Sequence, residues 1–423
     1  MGLPSAIRWF GRREKRDVER SLPAFDSATF SPALRTQLLI LQPTPFCNID
    51  CSYCYLPDRQ STARMGVDTV RLAAQRLRDD GLCDSHLTVV WHAGEPLAMP
   101  VAWYEDAFGT LAEVLEPCCS LTHSVQTNAT LIDQNWCALF LRHRVRVGVS
   151  VDGPADLHDA HRRTRQGRGT HARVLQGMAL LRENGIAHHA IAVVTPATFA
   201  AVDRFVDFFE AHPVSELGCN VDEAEGGHAH SSLEGHEAAH AVFLQRLLER
   251  SAQPGSRLRV RELAYATQLI AQPLPEVRWG DKQWPLNAQT LPFAIVSVAH
   301  DGGWSTFSPE LLGQAAPQFH NFVFGNVHQG SYLDGSHSEA FARAWDGIVR
   351  GVARCQNDCA HFGFCGGGAP ANKFYENGSL DSAETLYCRS MLKRPFDTVL
   401  GRLEAEQRAS RSMAETAADP GRA

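Results

Sequence analysis

Nowhere in the chain does an apolar run reach the about 18 residues that a membrane-crossing helix requires, so a membrane span is excluded and no membrane partner is expected. The basic opening, IRWFGRREKRDVER, has no apolar segment behind it and is not a secretory signal. Residues 1–35 read instead as a basic N-terminal arm. Positive charge is not in excess: 40 Lys and Arg against 47 Asp and Glu leave a net charge of −7, so nothing in bulk draws the chain toward nucleic acid or anionic lipid. There is no internal repeat. Cysteine, by contrast, is plentiful. Twelve are too few to staple 423 residues as a disulfide scaffold and many for an intracellular enzyme. Seven of the twelve fall into two tight clusters, which points to metal ligation in a reducing, cytoplasmic setting. The other five (Cys83, Cys118, Cys119, Cys137 and Cys219) lie scattered and read as small core residues.

At 44% hydrophobic and 21% charged, the composition is that of a globular protein long enough for two or three domains. From residue 36 to 225, β-like runs alternate with helix-like stretches. The runs are QLLILQP, LTVVWHAGEP, HSVQTNATL, VRVGVSVDGP, HHAIAVVTP and ELGCNVDE. Six strands, each followed by a helix or connection, predict a parallel α/β partial barrel with its functional residues on loops after the strand C-termini. In VRVGVSVDGP, Val145, Val147, Val149 and Val151 take one face, while Gly148, Ser150 and Asp152 take the other. A face ending in a hydroxyl and a carboxylate suits a ligand with hydroxyl groups, such as a ribose. Residues 226–290 read as a connection with one helix near 236–252. Residues 291–393 have another texture, with glycine-rich turns, few long helices and four more cysteines. Residues 394–423 read as a helix running into a disordered polar tail.

CNIDCSYC places Cys47, Cys51 and Cys54 in one loop just past the first strand. Three thiolates cannot complete a tetrahedral zinc site alone. A cubane of four irons, one thiolate each, would be left with one iron open to a reactive ligand. This C-x3-C-x2-C spacing, with Tyr53 before the last cysteine, resembles the radical S-adenosylmethionine (SAM) enzymes. The resemblance implies a [4Fe-4S] cluster whose open iron chelates SAM. It extends along the barrel. HAGEP, with Gly94 and Glu95, looks like the family segment that takes the SAM amino group, Ala93 standing where a glycine is usual. VQTNAT, with Asn128, is similar to its third-strand segment, and Ser150 and Asp152 match its ribose-side strand. LHDAHR makes Arg162 the implied partner of the SAM carboxylate, a role suited to a guanidinium fork.

Cys355, Cys359, Cys365 and Cys388, spaced C-x3-C-x5-C-x22-C, suffice for one fully ligated cluster, whose role would be electron transfer or structure. Four thiolates alone do not choose the metal, and a zinc knot is the other reading. The set resembles the SPASM extension of peptide-modifying radical SAM enzymes, with departures. Full SPASM domains hold two auxiliary clusters, yet Ala369 stands where a further cysteine belongs and the turn AHDGGWSTFSPELLG has none. One auxiliary [4Fe-4S] cluster is therefore expected. QPTPFCNIDCSYCYLP, WHAGEPLAMP, STFSPELLG and CGGGAPANKFYENGS together resemble the cyclophane-forming SPASM maturases that act on glycine-rich-repeat precursors. That resemblance implies a precursor peptide as substrate, an external flavodoxin- or ferredoxin-type electron donor, and a bond between an aromatic ring carbon and a Cβ two residues on. Losing the ring proton needs a base. Asp222, Glu223 and Glu225 at the sixth strand's end are candidates, strand alternation favouring Asp222, with Asp301 in reserve.

Two other readings compete. A sulfatase-type maturase, or a SPASM enzyme making thioethers or epimers, resembles the chain through the barrel, although the missing inner-cluster cysteines argue against the sulfatase type. HEAAH, His236 to His240, matches a zinc hydrolase pattern with Glu237 as base, and only Glu262 offers a third ligand. The 35 residues before the first strand are too few for a fused peptide-recognition domain, which leaves leader binding to the barrel, the 226–290 connection or a separate partner.

Overall fold

A computed structural model describes residues 25–418. Residues 1–24 of the basic arm and the last five of the polar tail lie outside the described residues. Six strands, β1 (Thr36–Leu41), β2 (Cys83–Trp91), β3 (Ser120–Thr127), β4 (Arg146–Ser150), β5 (His188–Val194) and β6 (Leu217–Val221), lie side by side in chain order, all parallel. Helices α1 (Val67–Asp79), α2 (Val101–Leu115), α3 (Gln134–Arg142), α4 (Ala155–His161), α5 (His171–Glu183), α6 (Pro196–Ala200) and α7 (Val202–Ala211) fill the crossovers. The expected partial (β/α)6 barrel is present.

Local chemistry explains these elements. Helix α1 carries Asp68 in its first turn and Arg76 and Arg78 in its last, matching its dipole, and Gly81 at φ 67° ends the turn that follows. Val70, Ala73, Ala74 and Leu77 recur at helical spacing and are buried against the sheet. Asp133 caps α3 by accepting from the Trp136 N–H at 3.0 Å. On β4 the valine face is buried as expected, each side chain worth about 1.5–3 kcal/mol. The opposite face is crowded: a Cβ at Gly148 would lie 2.1 Å from Gln126 Oε1 and 2.4 Å from His189 Nε2.

The sheet does not stop at β1. Strand β7 (Ile295–Val298) pairs with it in parallel, and β8 (Gly303–Thr306) and β9 (Gly325–Asn326) add antiparallel edges, giving nine strands. The C-terminal region is thus joined to the barrel by its sheet. The 226–290 stretch holds more than one helix: α8 (Glu237–Ser251) is followed by α9 (Arg261–Ala271) and a hairpin, Glu276–Trp279 with Lys282–Pro285. That hairpin pairs with Phe30–Ser31, and Phe30 stacks on Trp279 at 6.0 Å, so this part of the arm is packed rather than free. The C-terminal region also contains a 20-residue helix, Glu339–Asp358, where short elements were expected. Ser338 caps it, and Phe341, Ala344, Trp345, Ile348 and Val352 form its buried stripe. The final helix runs from Arg394 to Ala418, across residues expected to be disordered.

Candidate active site

The 47–54 loop is strapped to the end of the barrel by several elements. Ile49–Cys51 pairs antiparallel with Arg162–Thr164. Arg165 donates twice to the Cys47 carbonyl, at 3.1 and 2.7 Å. Asn128 Nδ2 lies 3.8 Å from Cys47 Sγ, and Arg162 Nη1 lies 3.9 Å from Cys51 Sγ. All three thiols are free; Cys47 is buried and the other two half-buried. Burial, followed by the nearby Glu95 carboxylate, pushes the Cys47 thiol up to about 12. Burial likewise lifts Cys51 to about 11 against the pull of Arg162. The loop concentrates desolvated sulfur that the protein's own cations do not balance.

The residues expected around SAM gather at the same strand ends, several of them bonded to one another. Ala93 and Gly94 both hold left-handed backbone, at φ 74° and 57°. A Cβ on Gly94 would meet Thr44 O at 2.4 Å and Phe46 O at 2.5 Å, which fixes glycine there. Ala93 adopts its conformation at a cost of about 1–2 kcal/mol, the reason a glycine is usual. Glu95 is buried, accepting from Leu97 N at 3.0 Å, Thr127 Oγ1 at 2.6 Å and Asn128 N at 2.8 Å. Its side chain therefore ties the second and third strand ends together, and burial lifts it to about 6. Asp152 accepts from Arg162 Nε at 2.9 Å, Arg162 Nη2 at 3.1 Å, Val193 N at 2.9 Å and the Tyr53 hydroxyl. Burial alone would raise that carboxyl, but the guanidinium charge and its bonds hold it below the usual range. Arg162 is thus spent largely on Asp152, with Nη1 left facing the cysteine loop. Ser150 Oγ accepts from Gln126 Nε2 at 3.0 Å on the lumen face.

The second cysteine set closes on itself. Cys355 lies in the last turn of Glu339–Asp358 and its carbonyl accepts from Cys359 N at 3.0 Å; Cys365 ends Phe362–Cys365, and Cys388 opens a wide π turn. Gly366, Gly367 and Gly368 all take positive φ, and a Cβ on Gly366 would sit 2.4 Å from Pro285 O. Asn287 Nδ2 bonds the Cys365 and Gly368 carbonyls, each at 2.8 Å. Burial raises the Cys355 thiol, and the Lys373 ammonium opposes that rise. Burial raises Cys359, but His361 outweighs it and holds that thiol below its ordinary value. Such surroundings suit an anionic cluster. In the cysteine-free turn, Ser308 is fully buried, donating to Gln289 Oε1 at 2.8 Å and accepting from Ala371 N at 3.2 Å, and Ala369, two residues before Ala371, is buried as well.

Between the two cysteine sets lies a carboxylate group. Strand β6 ends at Val221, so alternation has no hold on residue 222. Ser231 Oγ in the connection donates to the Asp222 carbonyl, and burial raises the Asp222 carboxyl. Glu223 accepts from Asn372 Nδ2 at 2.6 Å and is close enough to Glu225 and Glu310 for their charges to couple. Burial, then Glu223 and Glu310, drives Glu225 upward to about 11, while Glu223, with its amide donor, rises only to about 8, so the pair retains a proton near neutral pH and Glu223 loses its proton before Glu225. Tyr55 faces Glu310, Glu225, Cys54 and Glu223, and Tyr387, beside Cys388, faces Glu223 and Glu310. Glu310 and Tyr55 were not singled out from sequence, though both sit inside quoted motifs. Asp301 caps its own turn, accepting from Gly303 N at 3.0 Å.

HEAAH is scaffold. His236 is exposed at the start of α8, while His240 is fully buried between Phe199 and Phe243 with both ring nitrogens unpartnered. Glu262 accepts from Cys219 N at 3.1 Å and from Arg261 Nε at 3.0 Å, committed elsewhere. The zinc-hydrolase reading is set aside on this placement.

A family model described as the radical SAM superfamily matches residues 41–209, the stretch that runs from the end of β1 through the cysteine loop and strands β2 to β5. The chain belongs to the radical SAM superfamily. A full-length relative is the uncharacterized protein sll1766 of Synechocystis sp., 38% identical over 92% of this chain and 97% of that one. A serine-type anaerobic sulfatase-maturating enzyme of Bacteroides thetaiotaomicron is 28% identical over 51% of this chain, which spans about half (55%) of that relative's length. Among solved structures, native anSMEcpe with bound AdoMet superposes with a TM-score of 0.70 at 19% identity, covering 87% of this chain and 98% of that one. Streptococcus suis SuiB bound to precursor peptide SuiA gives 0.58 at 14% identity, covering 84% and 76%. These likenesses show the fold: a radical SAM barrel with a SPASM-type C-terminal domain.

Radical SAM proteins use a [4Fe-4S] cluster and SAM, and the donor sets here fit cubanes. Metal–sulfur bonds of about 2.3 Å put thiolates on one tetrahedral ion about 3.8 Å apart. Among the described residues, the one set of three or more donors within 4.8 Å of each other is Cys83, Cys118 and Cys119, not either set assigned to a cluster. The wider spread of Cys47, Cys51 and Cys54 is what thiolates on separate irons require.

Proposed function

We propose that this radical SAM enzyme matures a ribosomally made peptide by joining an aromatic ring carbon to a Cβ, forming a cyclophane. In this reading residues 36–225 are the catalytic barrel, 226–290 a connection open to leader binding, and 291–393 the auxiliary-cluster domain. Cys47, Cys51 and Cys54 would hold the SAM-binding cluster, and Cys355, Cys359, Cys365 and Cys388 the auxiliary one. Bound there, the two clusters and SAM supply one-electron chemistry: a hydrogen-abstracting 5′-deoxyadenosyl radical and an acceptor for one electron. An external flavodoxin- or ferredoxin-type donor would supply the starting electron.

The protein's own residues have three tasks. Gly94 presents backbone at the second strand end, with Glu95 fixing that end to Asn128. Tyr53, Ser150, Asp152 and Arg162 form the polar wall where the nucleoside would lie. Glu223 takes the ring proton, aided by Glu225 and Glu310; Asp222, just past the strand end and outside that cluster, is the weaker candidate. The observation that carries the reading is this carboxylate cluster, facing both Cys54 through Tyr55 and Cys388's neighbour Tyr387. The reaction then balances. Cβ–H and ring C–H bonds break, one C–C bond forms, and a hydrogen atom, a proton and an electron leave.

A sulfatase-type reaction, oxidising a serine or cysteine, is the second reading and is favoured by the Bacteroides relative. Ala369, where a further cysteine belongs, and the cysteine-free turn at 299–313 weigh against it. Anaerobic reaction with reductant, SAM and a short precursor bearing aromatic-x-x repeats tests the choice. The expected product is lighter by two hydrogens and fragments as if ring-closed across the motif. An aldehyde at a serine or cysteine would replace the cyclophane with the second reading.

A further inference from the structure

Three of the cysteines read from sequence as scattered core residues converge at the other end of the barrel. Cys83 opens β2, while Cys118 and Cys119 lie in the turn between α2 and β3. The parallel register His86↔Ser120 brings the two strand starts together. The three sulfurs all lie within 4.8 Å of one another, and none is in a disulfide. The turn is held in shape: Cys118 N and Cys119 N both donate to Leu115 O at 2.9 Å. Cys119 is buried, Cys83 half-buried and Cys118 exposed, so the cluster has one open side. Nine residues of β2 separate it from the SAM motif, about 26 Å at about 3.3 Å per residue. It belongs to neither cluster.

We infer that Cys83, Cys118 and Cys119 form a third metal site, a three-thiolate seat for a single thiophilic d10 ion such as Zn2+. Sulfurs this close match one ion, whose bonds of about 2.3 Å require a separation near 3.8 Å. Thiolate donors select soft ions over Mg2+ or Ca2+. The exposed side at Cys118 leaves the fourth position to water. Arg78 on α1 faces Cys83 and Cys118 and offsets part of the thiolate charge, while Glu116 faces Cys119. Burial first, then the neighbouring thiols, holds Cys83 up at about 12 and Cys119 at about 11, so both are protonated without metal and binding displaces those protons. Filled, the site pins the start of β2 to the α2–β3 turn, remote from the chemistry.

The test uses the anaerobically reconstituted holoenzyme, exposed to Zn2+, desalted, and assayed for zinc and iron by mass spectrometry. One zinc per chain above the iron content is expected, falling at least tenfold in Cys118→Ser and in Cys119→Ser while iron is unchanged. Cys118 is exposed, so its serine variant keeps the fold. A second readout is alkylation: Zn2+ should slow iodoacetamide labelling of Cys118 at least tenfold in the wild type. No retained zinc, equal zinc in wild type and both variants, unprotected Cys118, or a disulfide among the three in anaerobic protein would each overturn the assignment.

Discussion

Glu223→Gln separates the two halves of the proposed reaction. The amide keeps an acceptor for Asn372 Nδ2, now 2.6 Å from the carboxylate, and removes a charge that faces Glu310, so the fold should tolerate it. What it removes is a carboxyl poised near 8 beside an amide donor, the group proposed to take the ring proton. A positioned base is worth about a hundred- to ten-thousandfold. Glu225 is coupled to Glu223 and can take over in part, so the single variant should lose about a hundredfold in crosslinking and Glu223→Gln/Glu225→Gln toward ten-thousandfold. Formation of 5′-deoxyadenosine precedes proton loss and should stay near the wild-type rate, giving abundant cleaved SAM and little crosslinked peptide. The pH dependence has a definite sign. Burial, opposed by the Asn372 bond and reinforced by Glu310, pushes Glu223 up to about 8, so wild-type crosslinking should climb with pH toward that value and then level. Because the folded pKa is raised, the linked stability is present at low pH and is lost as pH rises from about 4.5 through about 8, a slope the variant should lack. The assay is a quenched time course resolving 5′-deoxyadenosine and peptide products by mass. Equal loss of both products, or no loss in the double variant, would refute the base assignment.

Gly94→Ala forces a Cβ to within 2.4 Å of Thr44 O at positive φ, displacing the segment that leads into Cys47. Reconstituted protein should then bind about half the wild-type iron, about four atoms instead of eight. Asp152→Asn strips the charge opposite the buried Arg162 guanidinium and should cost about 3–5 kcal/mol in urea denaturation, far more than a surface pair. His240→Leu removes a buried ring whose two nitrogens find no partner, so stability should hold or rise and crosslinking should persist; a large loss of turnover in iron-replete protein would contradict the scaffold role.

What was legible in the sequence was local. The C-x3-C-x2-C loop, the glycine after β2 and the β4 alternation are each written within ten residues, and the structure keeps Cys47, Cys51, Cys54, Gly94, Asn128, Ser150, Asp152 and Arg162 at one end of the sheet. What was not legible depends on register over long separations. Parallel pairing of strand starts brings Cys83 to Cys118 and Cys119, and no short-range pattern announces it. Glu310 meets Glu223 only because β7 returns to pair with β1 across some 250 residues of chain. The hairpin of the connection was hidden because its aromatic positions, Trp279 and Trp284, are few and pack on Phe30 and Trp345, far away in the chain. Asp222 was favoured by extending alternation past the strand's last residue, where the pleat no longer sets direction.

The most direct test of the crosslinking reaction follows hydrogen. A precursor carrying deuterium on the acceptor Cβ, and separately on the aromatic ring, is turned over anaerobically with SAM and reductant. The expected result is deuterium from Cβ in 5′-deoxyadenosine, one equivalent per crosslink, with ring deuterium washed into solvent. Deuterium arriving from Cα, or a serine turned into an aldehyde with no ring deuterium lost, would contradict the cyclophane assignment.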